Sequence, residues 1–110
     1  MIGTRSGGAR TAEELETLLE DALLLRNQEA LTGLFADGAV LVTGDARSAR
    51  ATETITQLAL ATWADDHTYV ADPRCVVQAR DIALIVAEWG INVARRGGDG
   101  VWRYQIVRQF

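Results

Sequence analysis

The sequence predicts an α+β fold: three N-terminal helices packed on a curved antiparallel sheet. Two observations carry this. Apolar residues recur about every four positions before residue 64 and every second position from Thr68 onward. Gly97-Gly98-Asp99-Gly100 then stands between two alternating runs as a hairpin loop. Helices first and an antiparallel meander last is the α+β order.

The bulk composition bounds the rest. A chain of 110 residues, 48% hydrophobic and 24% charged, makes one packed domain. Met1–Arg10 contains Gly and Arg and lacks the apolar centre of a signal peptide, so it reads as a disordered tail, with the domain spanning 11–110. No run approaches the about 18 apolar residues of a membrane span. The lone Cys75 has no disulfide partner, which suits a reducing, cytoplasmic location. One Cys and one His make no metal cluster unless carboxylates join them. No cofactor is expected, because the glycine run is a hairpin and not a strand-to-helix phosphate turn. All eleven basic residues are Arg, the net charge is −4 and the pI is near 4.9, which argues against non-specific nucleic-acid binding.

Thr11-Ala12-Glu13-Glu14 is a capping box, and Leu15, Leu18, Leu19, Ala22 and Leu23 follow as one apolar stripe. Asn27 caps a short second helix carrying Leu31, Leu34 and Phe35 and stopping near Asp37-Gly38. Ala39 to Thr43 is a short strand. A third helix covers roughly 53–64, with Ile55, Leu58, Ala59 and Trp63 on one stripe and Thr62 as its polar member. Strands are expected near 68–79, 82–95 and 101–110, the first two joined around Arg80-Asp81. Pro73 marks the first of them as an edge strand or a bulge.

Alternation assigns the faces. In the middle strand Ala83, Ile85, Ala87, Trp89, Ile91 and Val93 face the helices, with Glu88 and Asn92 outside. In the last strand Trp102, Tyr104, Ile106, Arg108 and Phe110 are inward. In the first, Tyr69, Cys75, Val77 and Ala79 are inward. Closing the hairpin at Arg96 and Val101 sets Val93 opposite Tyr104 and Trp89 opposite Arg108, consistent with those faces.

Three segments resemble a known family. Phe35-Ala36-Asp37-Gly38-Ala39-Val40-Leu41-Val42-Thr43 resembles the F-A-x-D-A-V opening of the first strand in the SnoaL-like branch of the nuclear transport factor 2-like proteins. Asp81 to Val86 with Trp89 resembles its D-x-A-L-V…W strand, and Asp99-Gly100-Val101-Trp102-Arg103-Tyr104 its D-G-x-W-R final strand. The resemblance runs from Thr11 to Phe110. It implies a cone-shaped fold, a deep pocket between helices and sheet, and a homodimer through the outer sheet face. Relatives include polyketide cyclases, ketosteroid isomerases and epoxide hydrolases, so it does not fix an activity. The chain departs from the pattern at Val107 and Arg108, where many members carry an acid, at Ala51, where a Gly is common, and in a first helix without Tyr.

The candidate site residues each have two readings. His67, beside Asp65 and Asp66, suits a general base, or is part of a solvated turn. Tyr69 and Tyr104 suit oxyanion donors, or are core tyrosines bonded locally. Trp63 and Trp89 suit a ligand wall, or are core. Arg108, inward beside Trp89, suits an anchor for a ligand oxygen, or reaches water from a frayed strand. Cys75 reads as an inert buried thiol. Three functions follow: a cofactor-free isomerase, cyclase or hydratase acting on a largely apolar carbonyl or polyketide-like substrate; a non-catalytic binder of a small apolar or weakly anionic ligand; or a dimerisation domain.

Overall fold

The structure, a computed structural model, describes residues 8–64 and 67–110. Three helices, α1 (Ala12–Leu24), α2 (Gln28–Thr32) and α3 (Thr52–Thr62), pack on six strands: β1 (Phe35–Val42), β2 (Ser48–Ala49), β3 (Cys75–Ala79), β4 (Ile82–Ala87), β5 (Gly90–Arg96) and β6 (Trp102–Gln109). The sheet order is β2-β1-β6-β5-β4-β3. β1 runs parallel to β6, so the sheet is mixed rather than wholly antiparallel as expected. Among the described residues no helix is long and apolar enough to cross a membrane.

The helix ends follow their side chains. Thr11 Oγ1 accepts from the Glu14 N–H at 3.0 Å, and Glu14 accepts from the Arg10 N–H rather than from that of Thr11 itself. The buried stripe of α1 is Ala12, Leu15, Glu16, Leu19, Ala22 and Leu23. α1 closes in a Schellman turn: the Arg26 N–H donates to Leu23 O and the Asn27 N–H to Ala22 O. Asn27 then caps α2 through Ala30 N at 3.1 Å. α2 stops at Thr32 because Phe35 already pairs with Tyr104 in β1, and Gly38, at φ +77°, absorbs a register shift before Val40. Ala9, assigned to the tail, is fully buried and bridges to Trp102. Residues 1–7 lie outside the described residues.

Helices and sheet share one core, with Leu15, Leu19, Leu41, Ile55, Ile85 and Trp102 all but excluded from water. Each such side chain stabilises the fold by about 1.5–3 kcal/mol. The β5–β6 loop is fastened by Asp99, which accepts from Val101 N at 3.0 Å and pairs with Arg103 at 2.9 Å. The Arg103 bond, then that of Val101, holds the Asp99 carboxyl down to about 2.

The strand expected over 68–79 is a strand only from Cys75 onward, and three further corrections concern turns and faces. The middle strand is two strands: Ala87 pairs with Gly90, and Glu88-Trp89 is the turn between β4 and β5. Parity reverses across it, so Asn92 points inward, while Ile91 and Val93 lie on the outer face. The two-residue Arg80-Asp81 turn sets Ala79 opposite Ile82 and Gln78 opposite buried Ala83. Cys75, Val77 and Ala79 are therefore outward, and Cys75 is exposed, not buried. In the last hairpin Arg96 pairs with Trp102, one residue beyond the expected closure, and the register shifts again between Val93 and Ala94. That bulge keeps Trp102 and Tyr104 inward, turns Val107 inward, and carries Ile106, Arg108 and Phe110 out.

Candidate functional site

Glu16 is the one charged residue on the buried stripe of α1, 2% exposed. Burying a carboxylate is costly unless donors surround it. Three do. Tyr69, from the segment after α3, donates its hydroxyl to Oε1 at 2.7 Å. Tyr104 of β6 donates to Oε2, and Asn92 of β5 donates its side-chain amide to the same oxygen at 2.9 Å. An acceptor-only carboxylate matches this donor set. Tyr69, Tyr104 and Asn92 are each at most 2% exposed. Both phenols titrate well above the usual tyrosine range. Burial is the main cause for each; the Glu16 charge comes next for Tyr69, and Tyr69 and then Glu16 for Tyr104. They therefore remain neutral donors.

The aromatic rings cluster beside this network. Tyr69 lies edge-on to Trp63 at 5.3 Å and to Trp89 at 5.0 Å, and Trp63 meets Trp89 at 6.1 Å. Trp89 Nε1 and Asn92 Oδ1 are buried without a hydrogen-bond partner among the described residues. A cavity of about 130 Å³ opens next to this cluster, bounded by Leu23, Arg26, Trp63, Thr68 and Tyr69. A larger groove of about 310 Å³ runs past Leu18, Leu25 and Leu34 and reaches none of the network.

Of the expected site residues, Trp63 and Tyr69 meet at the cavity, Trp89 packs against both, and Tyr104 lies deep in the network. His67 is exposed, and its backbone N–H donates to Ala64 O at 2.9 Å. Its expected partners Asp65 and Asp66 lie outside the described residues. Arg108 is not beside Trp89: the β6 bulge puts it on the outer face, exposed and opposite Ile91. Glu16, Asn92 and Arg26 were not singled out by the sequence reading. Glu16 was detectable, because it sits three residues before Leu19 and seven before Leu23 on the apolar stripe. Asn92 was hidden by the unrecognised turn at Glu88-Trp89.

No protein-family model matches the sequence, and no curated protein matches it. Solved structures do. One described as a calcium/calmodulin-dependent protein kinase type II association domain, from Thiobacillus denitrificans, superposes with TM-score 0.73 at 12% identity over 96% of this chain and 99% of its own. A ketosteroid isomerase-like protein from Erwinia carotovora atroseptica gives 0.65 at 14% over 87% and 89%. A protein from Streptomyces avermitilis, described as a dehydratase of the nuclear transport factor 2-like family, gives 0.65 at 16% over 86% and 88%. At these identities the likeness is one of architecture, and this chain has the nuclear transport factor 2-like, ketosteroid isomerase-like fold, an α+β cone.

Proposed function

We propose that this protein binds a small, largely apolar or weakly anionic organic molecule against Trp63 and Tyr69, with the Glu16 network as a fixed polar floor. One observation carries the reading: the cavity opens beside Tyr69, whose hydroxyl Glu16 holds. A core needing only packing would be served as well by apolar residues, without the desolvation cost of a carboxylate. Solved neighbours described as ketosteroid isomerase-like and as a dehydratase support a small-molecule role. The finer reading is catalytic: cofactor-free isomerisation, cyclisation or hydration of a carbonyl or polyketide-like substrate. In isomerisation Tyr69 would accept a proton from one substrate carbon while passing its own to Glu16, and the reverse transfer would return a proton to the product carbon, so no free phenolate forms and the site is restored. Tyr104 and Asn92 hold Glu16 in place. His67, exposed, stays outside this relay.

Binding is tested by titrating small cyclic ketones and carboxylic acids while following tryptophan fluorescence. Trp63→Ala is expected to lower affinity at least tenfold, and unchanged affinity overturns the site. Tyr69→Phe keeps the ring and removes the proton, so turnover is expected to vanish while binding persists.

A second reading has its own observation. Val77, Leu84, Val93, Ile106 and Val40 pair in succession across five strands, forming one aliphatic row on the outer sheet face. Val77, Leu84 and Ile106 are 55%, 38% and 41% exposed. We propose that a second copy of this chain covers the row as a homodimer. The neighbour described as an association domain supports this.

A further inference from the structure

We propose that Arg26 anchors an anionic group at the mouth of the cavity, and that the ligand is a carboxylate about one ring in size. This rests on the small-molecule reading and deepens it.

Arg26 occupies an uncommon position. It follows α1 in the left-handed conformation, φ +52°, at the Schellman position that glycine fills most easily. A side chain there is strained, and this one reaches across to the end of α3. Its Nη2 donates to Leu60 O at 3.0 Å and its Nη1 to Trp63 O at 3.4 Å. Those carbonyls fix the guanidinium beside the cavity and use two of its five donors. The ion pairs among the described residues engage Arg47, Arg74, Arg96 and Arg103, and not Arg26.

The cavity is polarised. Among the described residues that line it the charged one is Arg26, while behind Tyr69 stands the Glu16 carboxylate. An anionic ligand is thereby oriented, with its charge toward Arg26 and its apolar body against Trp63, Leu23 and Tyr69. A planar carboxylate matches the fork of a guanidinium. At about 130 Å³ the space is near the roughly 150 Å³ of an apolar cavity that takes benzene.

The test compares benzoate with its neutral planar analogue benzamide, by titration calorimetry. The expected result is that the protein binds benzoate at least tenfold more tightly. Arg26→Gln should bring benzoate down to the benzamide level and leave benzamide unchanged. Because Gln also disturbs the bonds to α3, Arg26→Gly is measured beside it: glycine suits the backbone there, so the thermal midpoint should hold while the anion preference disappears. Equal affinities for both probes in the unaltered protein overturn the anchor and leave the binding site standing, provided Trp63→Ala still weakens both. Parallel loss of both probes in Arg26→Gly shows a structural residue and overturns it too. Binding of neither probe overturns the small-molecule reading together with the anchor.

Discussion

The Asn92 side-chain amide on β5 donates to Glu16 Oε2 on α1 at 2.9 Å, joining residues 76 positions apart. The bond exists because β5 begins after a turn and presents its even-numbered residues to the helices. Glu16→Gln is expected to disrupt it. The variant offers one acceptor oxygen and a donor amide where three donors converge, so at least one donor loses its acceptor. The expected cost is about 1–3 kcal/mol, read as a lower urea midpoint at unchanged m-value.

Alkaline pH tests the two phenols. Their folded pKa values lie above the unfolded value of 10.0. Below pH 10 both states keep the protons and stability is full. Above it the unfolded chain releases protons that the folded one retains, so stability falls as pH rises. Each tyrosine contributes a slope of about 1.4 kcal/mol per pH unit. Urea unfolding between pH 9 and 11 should show the decline, and Tyr69→Phe should halve it.

Gly90 opens β5 directly beneath the backbone of β6. A Cβ there would stand 2.2 Å from Arg108 O, and backbone cannot step aside as a side chain can. Gly90→Ala is expected to destabilise by roughly 1–3 kcal/mol, the range for overpacking. Thermal melting checks it; an unchanged midpoint would show that the two strands are further apart.

Leu84→Arg puts a charge in the middle of the outer aliphatic row. Light scattering on the unaltered chain should give twice the 12.0 kDa monomer mass, and on the variant the monomer mass, with circular dichroism unchanged. A monomer in both cases rejects the homodimer.

Arg108, on the outer face, should have no part in ligand binding. Arg108→Met is expected to leave ligand affinity as it was and stability within about 0.5 kcal/mol.

Helix positions and caps were legible because each rests on a local signal: Thr11, Asn27 and the apolar stripe of α1 act within a turn of themselves. β4, β5 and β6 were legible as β but not as faces, while β1 begins inside the expected second helix and β3 begins seven residues after Thr68. Alternation carries no mark of where a tight turn interrupts it, and Trp89 continued the odd-numbered pattern while belonging to a turn. The local mark of the turn is Gly90, which opens β5 opposite Ala87. The Arg80-Asp81 turn also fixed the β3 face, since two loop residues force Ala79 opposite Ile82. The bulge in β6 left no such mark, and Arg108 was misplaced for that reason. Trp63 and Tyr69 were found by residue type. Glu16 did not stand out because a lone Glu on a helix is ordinarily solvated, and only its donors, brought from β5, β6 and the segment after α3, make it a buried acceptor.

β6 lies between β1 and β5, with its parallel partner some 65 residues earlier in the chain, as Val42 opposite Arg108 shows. On a ribosome, α1 through β5 emerge before the strand that joins them. Until residues 102–109 are free of the exit tunnel, β1 and β5 each present an open edge and Glu16 lacks the Tyr104 hydroxyl. Folding is thus tied to the end of translation of this segment. Such long-range pairing slows folding relative to a chain built from local contacts alone.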